Sequence, residues 1–182
     1  MQYSQLSTSR LILKGIDPPF IKTLFSNKTK EEIMAFFGFG EQGYMHYKYM
    51  YEGGMETFRL SLFVFLLVDK QSNEPIGECG YHTLNRTHRR AEVFYNMTNE
   101  DYKQKGYMTE ALEAVLEYGF TELGLHRVEA LVAADNTASL KLLRRYGFSF
   151  EGTMREDYCV NGVNEDSDCY SLLKKEWEGR KV

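Results

Sequence analysis

The hydrophobic positions along the chain follow two periods. Short runs rich in aromatic and β-branched residues, bounded by turn formers, predict strands at "RLILKGI" (10–16), "FRLSLFVFLLVD" (58–69), "PIGECGYHTL" (75–84), "AEVFYNM" (91–97) and "HRVEALV" (126–132). The turn-forming "KQSNE" folds the second and third of these into an antiparallel hairpin, and "RTHRR" (86–90) reads as a loop. Helical spacing marks Thr109 to about Leu123, a short stretch from Pro19, another from about Lys30 to Phe37, and "NTASLKLLRRYG". Residues 40–55, with Tyr44, Tyr47 and Tyr51 at helical spacing, read as a helix or an ordered loop. Two last strands fall near "FSFEGTMRE" and "DCYSLLKK", and the residues before the first strand read as a short tail.

A helix between strands 91–97 and 126–132 makes those strands parallel, because a strand, helix, strand crossover returns the chain in the same direction. With an antiparallel hairpin beside it, the sheet is mixed. The chain has no internal repeat and no linker rich in Pro, Gly or Ser, so one domain spans residues 1–182.

Composition narrows the function. A net charge of -4 argues against a protein that coats nucleic acid or anionic lipid, since clustered Lys and Arg carry such binding. Cys79, Cys159 and Cys169 are odd in number and lack metal-ligand spacing, which implies reduced thiols packed as small hydrophobes and no metal site. The longest apolar run, Leu60 to Val68, is too short to cross a bilayer, and no basic-then-apolar leader precedes "TSRLILK"; a cytoplasmic protein is expected.

The stretch that suggests chemistry is "KQKGYMT", residues 103–109. A helix start presents up to about four amides without intrahelical partners and the positive end of the macrodipole, which together seat an anion. Gly106 lets the backbone bend and approach a ligand there. The segment is neither GxxxxGK[ST] nor GxGxxG.

Taken with "TSRLILK" (8–14), "AEVFYNM" and "NTASLKLLRRYGF", this order of motifs resembles the GNAT superfamily of acetyl-CoA-dependent N-acetyltransferases, and within it the Rim-type branch that acetylates the N-termini of ribosomal proteins. The resemblance covers nearly the whole chain. It implies a single α/β (α+β) domain whose mixed, mostly antiparallel sheet of about seven strands is flanked by about four helices.

It further implies an acetyl-CoA pyrophosphate on the amides of Lys103, Gln104, Lys105, Gly106, Tyr107, Met108 and Thr109. Lys103 stands where the family has Arg or Gln, and Met108 where it has Gly or Ala. Asn96, Met97 and Thr98 match the strand end whose backbone pairs with pantetheine, and Asn136 the asparagine that contacts the same arm. Ser139 matches the serine proposed to protonate the leaving thiolate. The position of the tyrosine that serves many other members is here Leu143.

Acetyl transfer to an amine needs a neutral amine, a donor for the tetrahedral oxyanion and a proton for the thiolate. Glu92 matches a frequent family glutamate and is the candidate base, with a surface carboxylate near Arg89 and Arg90 as its plainer reading; Glu78, among Gly77, Cys79 and Gly80, is the alternative, the small neighbours leaving room for a substrate. The amide of Met97 is the candidate oxyanion donor. None of His46, His82, His88 and His126 is expected to be catalytic, His82 being the one nearest to Glu78 in strand terms, and Tyr146 is expected to pack. The aromatic run 44–51 either binds the acceptor or covers the sheet.

The sequence therefore predicts an N-acetyltransferase acting on a primary amine, a protein N-terminus or a small molecule, by direct attack in a ternary complex, with acetyl-CoA and without metal. The alternative is a non-catalytic acetyl-CoA sensor or scaffold. Nucleic acid and membrane are not expected partners, and a homodimer is.

Overall fold

The computed structural model describes residues 3–56 and 60–180. One eight-stranded sheet runs in the order β1-β2-β3-β4-β5-β6-β8-β7, from β1 (Gln5–Ser7) to β7 (Ser149–Val160), with β2 (Leu11–Ile16), β3 (Ser61–Asp69), β4 (Pro75–Asn85), β5 (Arg90–Met97), β6 (Arg127–Val132) and β8 (Val163–Leu173) between them. All neighbours are antiparallel except β5 and β6.

The sheet is one strand larger than expected. The residues read as a tail pair with β2, Gln5 opposite Lys14, and Gly15 donates its amide to Ser4 O at 2.6 Å. Three residues carry no period, so only the partner strand makes β1 visible. Residues 58 and 59, assigned from sequence to the start of the second predicted strand, lie outside the described residues. The last two strands are longer than expected and form a hairpin through Val160 and Val163.

Helices cover both faces. α1 (Pro18–Asn27), α2 (Lys30–Phe37) and α3 (Gly40–Gly53) pack on one face, burying Phe20, Ile21, Leu24, Ile33, Phe37 and Tyr47 against Val64, Leu66 and Val68 of β3. The other face takes α4 (Tyr107–Thr121), α5 (Thr137–Arg145) and α6 (Lys174–Gly179) over Phe63, Phe65 and Leu67. Among the described residues six helices replace the four expected, because Gly40–Gly53 is helical and "KKEWEG" adds a short last helix. β3 is buried on both faces and reads as a continuous apolar run.

Capping explains the helix boundaries. Asp17 accepts from the Phe20 amide at 2.8 Å, and Thr29 with Glu32 forms a reciprocal capping box. α4 buries Ala111, Leu112, Val115, Leu116 and Phe120, one stripe at helical spacing, so truncating Leu112 to Ala would cost about 2–5 kcal/mol. Among the described residues no helix is long and apolar enough to cross a membrane.

Candidate active site

The sheet opens where the only parallel pairing among the described residues ends. β5 pairs with β6 over Arg90, Ala91 and Glu92 alone, while on its other side it stays paired with β4 through Met97, opposite Gly77. From Val93 onward one edge of β5 is therefore without a strand partner. The Thr98 amide donates to Ile76 O at 3.0 Å, so by the antiparallel alternation the amides of Thr98 and Asn96 point at β4 and those of Met97, Tyr95 and Val93 point into the opening. Among Asn96, Met97 and Thr98, Met97 is thus the residue whose backbone faces the cleft.

Two cavities meet at this opening, with Tyr95, Asn136 and Ser139 lining both. The first, about 500 Å³, lies between β5, the 103–109 loop and α5, and its walls include Lys103, Gln104, Gly106, Tyr107, Met108 and Thr109. Gln104 and Gly106 are both left-handed (φ 59 and 80), a curl that turns successive amides to one side as an anion-binding nest. The amides from Gln104 to Thr109 have no acceptor among the described residues, while Gly106 O accepts from Glu110 N and starts α4. The Lys105 side chain is not part of this wall.

Asn136 caps α5: its Oδ1 accepts from the Ser139 amide at 3.1 Å. That bond leaves the Ser139 hydroxyl at the junction of the cavities. Leu143 is buried in the core and lines neither cavity. Tyr146 is buried and its hydroxyl donates to Thr109 O at 2.6 Å, tying the end of α5 to the start of α4; burial pushes its pKa up to about 12.

The second cavity, about 450 Å³, is walled by Glu92, His82, Phe94, Asp157 and Tyr158. Burial, and then the charges of Glu129 and Asp157, push Glu92 up to about 7. Burial also pushes the pKa of His82 down, and its Nε2 lies 3.5 Å from Glu92 Oε1. Asp157 and Tyr158 arrive from β7, whose register against β8 breaks between Met154 and Tyr158, with Glu156 left-handed at φ 53. Arg90 is engaged elsewhere, with Glu129 at 2.8 Å.

Glu78 faces another environment. It accepts a short hydrogen bond from the Tyr47 hydroxyl, and His46 Nε2 lies 3.9 Å from its other oxygen. The small neighbours read as room for a substrate are filled by backbone: a Cβ on Gly77 would stand 2.3 Å from Asn96 O, and one on Gly80 2.3 Å from Phe63 O. Within the aromatic run Tyr47 is fully buried and stacked on Phe37 at 3.6 Å, Tyr44 and Tyr51 lie against Phe25 of α1, and Tyr49 is exposed. Cys79 is buried, Cys159 exposed, and all three thiols are free.

Charge divides the two cavities. Lys103, Lys141 and Arg145 line the first, which has no carboxylate in its wall; Glu92 and Asp157 line the second, which has no Lys or Arg. Lys141 and Arg145 escaped the sequence reading, although their i, i+4 spacing places both on one side of α5. Tyr95 and Asp157 escaped it too. Tyr95 reads as an ordinary strand aromatic, and only the opening of the sheet brings it beside Ser139, whose hydrogen bond offsets part of the rise in pKa that burial imposes on the phenol.

Comparison with known proteins agrees with this geometry. Residues 10–149 match the family model described as an acetyltransferase (GNAT) domain. The chain is 31% identical over 179 residues to the uncharacterized N-acetyltransferase YoaA of Bacillus subtilis, covering 93% of this chain and 96% of that one. It is 40% identical over 105 residues to the putative ribosomal N-acetyltransferase YdaF of the same organism, covering 58% and 57% of the two chains. In fold it is similar to the crystal structure of the spermidine/spermine N-acetyltransferase SpeG of Vibrio cholerae, with a TM-score of 0.71 at 22% identity, covering 96% of this chain and 98% of that chain.

Proposed function

The chain belongs to the GNAT acetyltransferase family, and on that premise we propose that it moves the acetyl group of acetyl-CoA to a primary amine that enters through the acidic cavity. The observation that carries this reading is the partition of charge between two cavities that meet at Tyr95, Asn136 and Ser139. An anionic donor fits the wall of Lys103, Lys141 and Arg145, and a cationic acceptor fits Glu92 and Asp157.

The donor pyrophosphate would sit on the amides of Gln104 to Thr109 at the start of α4. Its pantetheine arm would run along the free edge of β5, as an added strand does, past Met97 and Asn136. The thioester then lies where the two cavities join.

An alkylammonium must lose a proton before it can attack, and ordinary amines titrate at about 8 to 10. Glu92, held near 7, takes that proton directly or through one water at neutral pH. The nitrogen bonds to the thioester carbonyl carbon, and the Met97 amide donates to the oxyanion that forms. The C–S bond then breaks, the nitrogen gives its second proton to solvent as the amide forms, the thiolate takes a proton from the Ser139 hydroxyl, and solvent reprotonates Ser139 and takes the proton held by Glu92. Attack occurs with both substrates bound, without a covalent enzyme intermediate. Acceptors of this chemistry include the α-amine of a protein N-terminus and small-molecule amines, and the acidic wall favours acceptors with cationic surroundings.

Calorimetric titration of acetyl-CoA, followed by a panel of amines with thiol release monitored, tests the reading. Saturable binding with amine-dependent thiol release is the expected result. Binding without thiol release from any amine would identify a sensor, and no binding at about millimolar acetyl-CoA, a free energy weaker than about -4 kcal/mol, would overturn both.

A further inference from the structure

The residues of "TSRL" lie outside both cavities, yet they hold the loop that forms the first. Arg10, at the entry to β2, reaches across to α4 and the loop before it by three hydrogen bonds and one ring contact. Its amide donates to Glu110 Oε1 at 2.6 Å and its Nε to Glu110 Oε2 at 2.8 Å, while Nη1 donates to Lys105 O at 3.0 Å. The guanidinium carbon lies 4.2 Å over the ring of Tyr107. Arg10 therefore grips the residues on both sides of Gly106 and the helix one turn beyond it.

The support extends outward from Arg10. Thr8 donates its hydroxyl to Glu110 Oε1 and accepts from the Leu11 amide at 3.1 Å, and Lys70 donates to Thr8 O. Tyr107 donates to Asp69 Oδ1 at 3.3 Å, and Asp69 is itself buried and held by Ser72. These partners come from the link between β1 and β2, the start of β2, the end of β3 and the turn that follows it.

Glu110 gives the arrangement a second consequence. It stands in the first turn of α4, where its charge would compete with a phosphate for the same positive helix end. Burial pushes the Glu110 carboxyl up, but the bonds from Thr8 and Arg10 more than reverse this, so it remains an anion drawn to the strand side. The guanidinium both neutralises it and fixes it away from the cavity, whose wall does not include Glu110.

We propose that Arg10 is a positioning residue for the donor's pyrophosphate: a clamp that presets the Lys105–Tyr107 backbone and turns the Glu110 carboxylate away from the phosphates. This rests on the acetyl-CoA reading of the first cavity. Only a planar fork reaches Glu110 and Lys105 O together, so lysine does not replace it.

The test compares the full-length protein with its Arg10→Ala, Arg10→Lys and Glu110→Gln variants. Arg10→Ala and Arg10→Lys should raise KM for acetyl-CoA about tenfold, leave kcat at saturating donor unchanged, and leave KM unchanged for acetyl-pantetheine, which has no pyrophosphate. Adding Glu110→Gln to Arg10→Ala should recover part of the loss, because it removes the competing charge. Equal losses with both donors, or a wild-type KM in Arg10→Ala, would overturn the clamp. Hydrogen exchange reads it without any donor: the bonded amides of the first turn of α4, beginning with Glu110 on Gly106 O, should exchange about tenfold faster in Arg10→Lys, with those of β3 unchanged, and unaltered exchange overturns the clamp. A wild-type protein that binds no acetyl-CoA yet shows that local change in exchange would overturn the functional reading and leave the clamp standing.

Discussion

His82 Nε2 lies 3.5 Å from Oε1 of Glu92, on neighbouring strands of the wall that faces the acidic cavity, yet the pair is not a strong ion pair near neutral pH. Burial lowers the pKa of the imidazole, while burial and then Glu129 and Asp157 push the carboxyl to about 7. The base is consequently half ionised at neutral pH. kcat/KM should rise with pH below about 7 and level above it, since the carboxylate is the active form; Glu92→Gln should abolish that limb and lower kcat/KM about a hundredfold. A pH profile of thiol release checks both, and an unchanged limb in the variant would assign the titration to another group.

Stability carries the matching sign. A carboxyl whose folded pKa lies above its ordinary 4.5 stabilises the fold below that value and loses the contribution as pH rises through about 7. Glu92→Gln should therefore gain thermal stability relative to wild type at pH 8 and little at pH 4, as read by melting curves at the two pH values.

Ser139 and Asn136 separate chemistry from architecture. Because the cap bond uses the Ser139 amide, Ser139→Ala should keep the helix and the affinity for acetyl-CoA while lowering kcat about tenfold or more. Asn136→Ala removes the cap and should cost about 1 kcal/mol in denaturant unfolding. Retention of full kcat by Ser139→Ala would give the thiolate's proton to water.

Gly106 sits at φ 80, and a Cβ there would meet Arg10 Nη2 at 3.5 Å, an ordinary contact. The cost of Gly106→Ala is then the left-handed backbone alone, about 1–2 kcal/mol, and the same strain should weaken acetyl-CoA binding. Denaturant unfolding and calorimetry measure the two effects on one preparation.

On the far side of the sheet Arg127 donates to both oxygens of Glu151 at 2.6 and 2.5 Å, and Ser171 adds a third bond at 2.7 Å. The hydrogen bond from Arg127 is the main reason the Glu151 pKa falls to about 2. A lowered carboxyl stabilises above its ordinary 4.5 and loses that as pH drops toward 2. Melting temperature should fall between about pH 4.5 and 2, less steeply in Glu151→Gln; solvent at this half-exposed pair keeps the difference modest.

The sequence alone determined the features that depend on neighbours in the chain. Period 2 marked the central strands, period 3.6 marked α4 and α5, and Gly106 marked the start of α4, because spacing and positive φ act within a turn. The nest of amides before α4 was legible for the same reason.

Tertiary structure decided the rest. β1 exists because Gln5 meets Lys14 across the sheet, and the cleft exists because β6 leaves β5 after Glu92, an outcome of register among strands that no local pattern encodes. Asp157 reaches Glu92 across 65 positions of chain through a bulge in β7, and Arg10 reaches Glu110 across 100 through the packing of β2 on α4. Charges so far apart in sequence meet only when the sheet is closed, and their pKa values follow from the burial that the same closure creates.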